Sequence, residues 1–315
     1  MSERILITGG AGFVGAHLAR AHLRDGDAVH LLVRPRGVSR PERIPEGAAI
    51  EPVPLDDVEA IEECLARVQP TMIYHLASAT GRDPTPPHRA ERRVLSQDLL
   101  NLFALLAAAA EMRTPPRTLI RAGSLAEYGD GAVPSREDQR EAPRTVYTAA
   151  MVAGAHYARM LQPRLAFPVV TARFALTYGP GQDNNFFVPW LLERCLAGET
   201  SLVQRPDCRR DMIFVEDLVA GLRRMACTEL EAGTILNLST GLAPTVREIA
   251  ALVVEVTRCD PALVRCDPEP GPNFRVDALW GIPDRARDLL GWEAVTPLAE
   301  GLHRTAETMR KRIFA

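Results

Sequence analysis

A glycine-rich turn, TGGAGFVG at 8–15, joins a short apolar segment, RILIT, to a segment with helical periodicity at 13–25. Three glycines recur at every third position. Glycine permits a tight turn and lets the backbone approach a phosphate closely. The helix would direct its first free N–H groups at that phosphate. This arrangement predicts a site for the pyrophosphate of a dinucleotide. The cofactor contacts predicted in the turn are Gly9, Gly12, Phe13, Val14 and Gly15.

Short apolar segments alternate with helical segments as far as residue 174. Strands are predicted at 4–8, 28–33, 49–55, 71–77, 117–124 and 167–174, and helices at 13–25, 57–67, 88–112 and 146–162. The alternation is typical of an α/β fold with a doubly wound parallel sheet, the Rossmann fold.

The rhythm of the sequence changes after about residue 175, where prolines and glycines become frequent and the elements become short. We therefore predict a dinucleotide-binding domain over 1–175, completed by a returning strand near 234–240. Residues 176–315 are predicted to form a smaller, irregular substrate-binding lobe. The cleft between the two is the expected ligand site.

The end of the second strand bears on the choice between NAD and NADP. A carboxylate at this position would hold the 2'-hydroxyl of the adenine ribose, but the sequence there is Val33, Arg34, Pro35, Arg36. Arg34 suits stacking on adenine or contact with a 2'-phosphate. Asp56 follows the third strand as a second adenine-side candidate, or as a helix-capping acid. This position leans towards NADP or is neutral, so NADP is not excluded.

Charge and cysteine content exclude other classes of partner. The formal net charge is -3, so the chain lacks the basic field that holds a nucleic acid. The cysteines form no C-x-x-C pair and no metal-like spacing with histidines, which indicates a reduced, cytoplasmic protein without a metal. The most apolar run, at 99–110, is too short to span a bilayer. We therefore expect no nucleic-acid, metal or membrane partner.

An ordered set of motifs covers nearly the whole chain. The motifs are TGGAGFVG at 8–15, HLAS at 75–78, GSLAEYG at 123–129, Tyr147, RFALTYGPGQ at 173–182, RRDMIFVEDL at 209–218 and DRARDLLGW at 284–292. In this order they resemble the extended short-chain dehydrogenase/reductase family of nucleotide-sugar epimerases and dehydratases. The resemblance implies NAD as cofactor, a UDP-sugar as substrate, and a homodimer formed by the helices at 88–112 and 146–162.

The resemblance also implies residue roles. Ser124 and Tyr147 match the family's catalytic hydroxyl pair, with Ser124 also touching the substrate and Tyr147 the cofactor. Leu76 and Ala77 of the HLAS motif are implied cofactor contacts. The implied substrate contacts are Asn185, Arg210 and Arg275.

Several positions depart from the family pattern. Met151 stands four residues after Tyr147, where the family has a lysine that lowers the pKa of the tyrosine. The one lysine of the chain, Lys311, is near the C-terminus and cannot replace it. Leu125 and Ala126 occupy the places of the Asp-Glu pair that serves water loss in 4,6-dehydratases. Glu127 is the nearest candidate acid or base. A further departure is Leu176, which stands where the family usually has asparagine.

These departures are similar to those of dehydratases that convert UDP-N-acetylglucosamine to a 5,6-ene in antibiotic biosynthesis. That reaction oxidises C4, removes the C5 proton and the 6-hydroxyl, and returns hydride to C4. Three alternatives stay open: a 4-epimerase, a non-catalytic dinucleotide-binding regulator, and an NADPH-dependent reductase of small molecules. Retention of Ser124, Tyr147 and Arg210 together argues against the regulator.

Overall fold

The computed structural model describes residues 2–35, 40–78, 94–267 and 277–313. Its strands are β1 (Arg4–Thr8), β2 (Ala28–Val33), β3 (Ala49–Pro52), β4 (Met72–His75), β5 (Thr118–Ser124), β6 (Val169–Phe174), β7 (Leu176–Tyr178), β8 (Ser201–Gln204), β9 (Arg209–Arg210), β10 (Met212–Phe214), β11 (Ile235–Leu238), β12 (Val264–Asp267) and β13 (Ala278–Leu279). Its helices are α1 (Phe13–Arg24), α2 (Val58–Val68), α3 (Asn101–Ala110), α4 (Val146–Leu161), α5 (Phe187–Leu196), α6 (Val215–Cys227), α7 (Val246–Thr257), α8 (Asp284–Leu290) and α9 (Leu298–Ile313).

Seven of these strands form one parallel sheet in the order β3-β2-β1-β4-β5-β6-β11. Successive strand residues face opposite sides of a sheet. Ile5 and Ile7 accordingly belong to the core beneath α1 and α6, while Leu6 belongs to the core beneath α2 and α3. The doubly wound Rossmann fold predicted from the sequence is confirmed. The strand order reverses between β1 and β4, and in such sheets ligands bind at that point.

The residues after β6 build a separate layer of short elements. Two-stranded pairings join β7 to β10, β8 to β12 and β9 to β13. A third core cluster lies among α5, α7 and α9 and draws on residues from Tyr178 onward. The exceptions are β11, which pairs with β6 and extends the main sheet, and the helices α6 and α8, which pack against that sheet. This returning strand connects the layer to the seven-stranded sheet.

Some boundaries differ from those predicted. The strand predicted over 49–55 ends at Pro52, since Pro52 and Pro54 have no N–H to donate to a neighbouring strand. The strand predicted over 71–77 ends at His75, because the next two residues turn to hydrogen-bond Thr8. The start of the helix predicted over 88–112 lies outside the described residues. Its remainder contains a π-helical turn, Ser96–Leu100, before α3.

Candidate active site

The glycine-rich turn lies at the carboxyl end of β1, beside the end of β4. Gly9 has a left-handed φ of +72°, and a Cβ on it would lie 2.8 Å from the backbone nitrogen of Ala77. A Cβ on Gly15 would lie 2.3 Å from the Gly9 carbonyl oxygen. Leu76 and Ala77 donate their backbone N–H groups to the Thr8 carbonyl and Thr8 Oγ1 at 3.1 and 3.2 Å. Glycine is therefore required where the two strand ends meet.

The first turn of α1 suits a pyrophosphate. Its N-cap, Gly12, has no side chain to cap the helix, and the first turn carries no acidic residue. The first N–H groups, on Phe13 and Val14 among others, can therefore bind an anion without competition or repulsion. These residues fit the phosphates of the dinucleotide that the sequence predicts.

Arg34 and Asp56, the residues predicted for the adenine side of this site, lie at the surface. Arg34 follows β2 and is exposed, as is Pro35, while Arg36 lies outside the described residues. Asp57 caps α2 by accepting a hydrogen bond from the backbone N–H of Ala60 at 3.0 Å. Asp56 is exposed and not part of that cap. Of the two neighbouring acids, Asp57 has the structural role and Asp56 keeps its carboxylate at the surface.

Ser124 ends β5 and begins a 3₁₀ turn, Leu125–Tyr128. Its Oγ accepts a hydrogen bond from the Ala126 N–H at 3.1 Å, and Glu127 Oε1 accepts from the Ser124 N–H at 2.8 Å. This capping box fixes the backbone of Ser124 from both sides. A hydroxyl has two acceptor sites and one proton, so Ser124 can still donate to a substrate oxygen.

Glu127 is fully buried beneath Ser124. Its second carboxylate oxygen, Oε2, accepts a hydrogen bond from Arg173 Nε at 2.9 Å. Arg173 is also fully buried, pairs with Glu141 at 2.5 Å, and lies 4.4 Å above the ring of Tyr128. Both carboxylate oxygens of Glu127 thus accept hydrogen bonds from other residues of the protein.

Tyr147 lies in the first turn of α4, which packs against β5 and the 3₁₀ turn. Burial and the nearby Asp98 carboxylate raise the pKa of Tyr147 to about 12. The Ser78 hydroxyl and the positive charge of Arg121 act in the opposite direction and lower this pKa. A phenol with so high a pKa stays protonated at neutral pH, so the tyrosine needs a cation to ionise.

Met151 is buried one turn after Tyr147 on α4. Its carbonyl oxygen accepts a hydrogen bond from Arg121 Nη2 at 2.8 Å, and its sulfur lies 3.9 Å from the same nitrogen. The place of the family's lysine is therefore filled by an apolar side chain with a guanidinium behind it. Sequence reasoning missed Arg121; the available signal was an arginine within the apolar strand TLIRAGS.

The predicted substrate contacts lie in the later part of the chain. Arg210, in β9, is half-buried and donates to the carbonyl oxygens of Arg209 and Asp277 at 2.7 and 3.0 Å. Asn185 is exposed in the turn before α5. Arg275 lies outside the described residues.

Asp211, next to Arg210, is a buried carboxylate. Burial raises the pKa of Asp211 to about 6, although this carboxylate accepts hydrogen bonds from the Thr240 N–H and hydroxyl.

The sequence pattern of the NAD dependent epimerase/dehydratase family matches residues 5–239. The chain belongs to this family. The predictions of an enzyme of the epimerase/dehydratase class and of NAD as cofactor are thereby confirmed. No helix in the described part of the chain combines the length and apolarity needed to cross a membrane.

Individual relatives cover the whole length at modest identity. The chain is 29% identical to the UDP-glucose 4-epimerase of Mycolicibacterium smegmatis, over 98% of this chain and 99% of the relative. Among solved structures, it is 27% identical to TunA, described as an NAD-dependent NDP-hexosamine 5,6-dehydratase involved in tunicamycin biosynthesis. That match has a TM-score of 0.84 and covers 99% of each chain. The UDP-glucose 4-epimerase of Thermus thermophilus, solved with NAD, is 26% identical with a TM-score of 0.83, over 98% of this chain and 99% of that one.

Proposed function

We propose that this protein is an NAD-dependent dehydratase that converts UDP-N-acetylglucosamine to its 5,6-ene, an exo-glycal, in antibiotic biosynthesis. The observation that carries the proposal is the combination at β5 and α4. Ser124 and Tyr147 are kept, while Met151, Leu125 and Ala126 replace the lysine and the Asp-Glu pair. Similarity to TunA supports the same reaction class.

The residues that would hold the cofactor are those of the two adjoining strand ends. The amides of α1 and the turn at Gly9, Gly12 and Gly15 would bind the pyrophosphate, with Leu76 and Ala77 alongside. The chemistry that bound NAD would supply is reversible hydride transfer at C4 of the sugar.

In this proposal Tyr147 removes the proton of the sugar 4-hydroxyl as C4 is oxidised and gives it back as C4 is reduced. Ser124 donates its hydroxyl proton to the C4 oxygen and so stabilises the ketone. The ketone acidifies the C5–H bond, and loss of the C5 proton with the 6-hydroxyl releases one water. The sugar regains its 4-hydroxyl and gains a C5–C6 double bond, so the overall change is loss of water.

Glu127 receives a different role from the acid or base expected from the sequence. It is fully buried, and its oxygens accept hydrogen bonds from the Ser124 N–H and from Arg173. A general acid or base must reach the proton that it transfers. We therefore propose that Glu127 is a positioning residue, which fixes the backbone of Ser124.

The remaining substrate contacts are proposed for the lobe after β6. Arg210 would bind the diphosphate of the UDP-sugar, since a guanidinium forms paired hydrogen bonds with phosphate oxygens. Asn185, exposed in the turn before α5, would offer an amide to the nucleotide sugar. Arg275 would add a second cation to the diphosphate.

The test is proton NMR of the purified protein with UDP-N-acetylglucosamine in D₂O, first without added cofactor and then with NAD. New vinylic signals together with a retained H4 resonance would support 5,6-dehydration with the 4-hydroxyl restored. Tyr147→Phe is the matched control, because it keeps the ring and removes the transferred proton. An unchanged sugar spectrum, in the presence of measured NAD and UDP binding, would contradict the proposal.

A 4-epimerase is the second candidate, and the identity to the mycobacterial UDP-glucose 4-epimerase favours it. Epimerisation needs the same Ser124 and Tyr147 but no loss of the C5 proton. The NMR experiment separates the two reactions. A 4-epimer gives a changed H4 coupling and no vinylic signal.

We also propose that the protein is a homodimer through α3, α4 and the π-helical turn before α3. Leu100 and Met160 are 57% and 53% exposed there, and Tyr157 packs edge-to-face on Phe103 at the same surface. Contiguous exposed apolar side chains of this kind mark protein–protein contacts.

A further inference from the structure

Arg121 lies in the middle of β5, three residues before Ser124. Its side chain points into the interior, and only 2% of the residue is exposed. Its guanidinium lies between the sheet and α4. Nη2 donates to the Met151 carbonyl oxygen at 2.8 Å, and Nη1 donates to Thr171 Oγ1 at 3.3 Å. Gly154 leaves space for it, since a Cβ there would lie 3.1 Å from Arg121 Nη2.

In the described part of the chain, no carboxylate accepts a hydrogen bond from Arg121. Its acceptors there, the Met151 carbonyl and sulfur and the Thr171 hydroxyl, are all neutral. A buried cation is costly to keep, and it acts over a longer range than a surface cation because the surrounding dielectric is low. Arg121 therefore projects positive potential onto the groups that face it.

Those groups come from every element packed around the guanidinium. Tyr147 lies on α4, Asp98 in the π-helical turn, and Glu127 in the 3₁₀ turn. Arg173 on β6 is held between Glu127 and Glu141. The fourth strand contributes His75, whose pKa is lowered to about 3 by burial and by Arg121, so this imidazole stays neutral.

We propose that Arg121 is a positioning residue that supplies from β5 the positive charge that the family's lysine supplies from α4, and so stabilises the phenolate of Tyr147. Met151 fits this arrangement, since its carbonyl orients the guanidinium and its apolar side chain occupies the lysine position without repelling it. Two carboxylates, those of Asp98 and Glu127, oppose the ionisation of Tyr147, while the Ser78 hydroxyl and the Arg121 guanidinium favour it. The inference rests on the proposed role of Tyr147 as the proton-transfer group.

The test measures the ionisation of Tyr147 directly. A fluorinated tyrosine that titrates at lower pH is incorporated at the five tyrosines, and ¹⁹F NMR follows each resonance with pH. Tyr147→Phe identifies the resonance of residue 147. The variants are Arg121→Gln, which can still donate to the Met151 carbonyl, Arg121→Lys, and the double variant Arg121→Gln/Met151→Lys. Arg287→Met, at an exposed site in α8, controls for loss of a remote charge.

We expect the titration midpoint of residue 147 to rise by about one pH unit in Arg121→Gln, because an opposite charge is removed. Arg121→Lys should remain closer to wild type, and the double variant should return to it. An Arg121→Gln midpoint equal to that of Arg287→Met would overturn the inference. If Arg121→Gln does not fold, the test is the double variant Arg121→Gln/Met151→Lys, in which the cation is moved from β5 to α4. A midpoint that does not return to the wild-type value in this variant would contradict the inference.

Turnover separates this inference from the proposed function. Wild-type dehydration of UDP-N-acetylglucosamine with an unmoved midpoint in Arg121→Gln would overturn the inference alone. A moved midpoint, with no reaction of any UDP-sugar by the wild type, would overturn the proposed function and leave the electrostatic role of Arg121 intact. Where both hold, the ascending acidic limb of the pH–rate profile, which reports ionisation of the base Tyr147, should move with the midpoint.

Discussion

Arg121 Nη2 donates a hydrogen bond of 2.8 Å to the carbonyl oxygen of Met151 and lies 3.9 Å from its sulfur. The two residues are far apart in sequence but meet under the turn of α4 that begins with Tyr147. A lysine at position 151 would place a second cation beside the guanidinium, and like charges at this range repel strongly in a buried site. Methionine at 151 and arginine at 121 are therefore compatible choices.

Replacing Gly154 by alanine tests how closely Arg121 is packed. Alanine in a helix interior is ordinarily about 1 kcal/mol more favourable than glycine. Here the new Cβ would lie 3.1 Å from both Arg121 Nη2 and Leu102 Cδ2, so we expect no gain in the free energy of unfolding, as measured in urea. Ala149→Gly, at an exposed site in α4, calibrates the helix term. A full gain of about 1 kcal/mol in Gly154→Ala would show that the guanidinium is loosely held.

Glu127→Gln tests whether this carboxylate positions Ser124 or transfers protons. The glutamine oxygen can still accept from the Ser124 N–H, but Arg173 keeps Glu141 as its one charged partner. We expect a loss of about 3 kcal/mol in the free energy of unfolding, at the lower end for a broken buried pair.

Turnover of the folded Glu127→Gln variant should stay within about tenfold of wild type, since loss of a general acid or base typically costs 10²–10⁴-fold. Glu42→Gln is the stability control, because its pair with Arg40 is largely exposed. Loss of turnover by more than about 100-fold in a folded protein would restore Glu127 to the acid or base role.

The strands and the glycine-rich turn were predictable because they depend on local pattern. Short apolar runs define β1, β2 and β5, and glycine spacing defines the turn before α1. The sequence also held an overlooked signal at Ser124-Leu125-Ala126-Glu127, whose spacing matches a capping box. That spacing favours a structural role for Glu127, whereas proximity to Ser124 alone had suggested chemistry.

Other features depend on contacts between distant parts of the chain and were not readable. The local sequence RTLIRAGS does not indicate on which face of the sheet the Arg121 side chain lies, or that α4 covers it. The partnership of Arg173 with Glu127 joins residues 46 apart in sequence. The π-helical turn at Ser96–Leu100 likewise has no counterpart in the apolar periodicity.

The buried His75 should make the protein sensitive to acid. Its pKa is lowered to about 3 by burial and by Arg121, while an unfolded histidine titrates near 6.5. Between pH 6.5 and 3 the unfolded chain binds a proton on this histidine and the folded protein does not. The free energy of unfolding therefore falls by up to about 1.4 kcal/mol per pH unit as the pH is lowered through this range. In urea unfolding from pH 7 to 5, the stability advantage of wild type over His75→Asn should therefore shrink. His303→Asn, at an exposed site, is the control, and parallel curves for wild type and His75→Asn would contradict this account.

Gly15→Ala should weaken the proposed pyrophosphate site in the turn before α1. The new Cβ would lie 2.3 Å from the Gly9 carbonyl oxygen and 2.8 Å from the Gly10 Cα, so the turn must open. We expect NAD affinity to fall at least about tenfold, equivalent to about 1.4 kcal/mol, by isothermal titration calorimetry. Gly26→Ala controls for general destabilisation, because alanine is strained at its φ of +84° while the new Cβ meets nothing within 4 Å. Equal weakening in both variants would point to general destabilisation instead.

The exposed apolar surface of α3 and α4 should hold two chains together. Leu100 and Met160 are each more than half exposed on this surface. A carboxylate placed in an apolar interface loses its hydration without gaining an ion-pair or hydrogen-bond partner, which disfavours association. We expect wild type to sediment at twice the 34.5 kDa chain mass and Leu100→Glu/Met160→Glu to sediment as a monomer. Leu242→Glu, 70% exposed after β11, is the matched control and should leave the dimer intact. A monomeric wild type would contradict the dimer. A double variant that stays dimeric would show that the dimer contact lies on another surface. Sedimentation velocity distinguishes these outcomes.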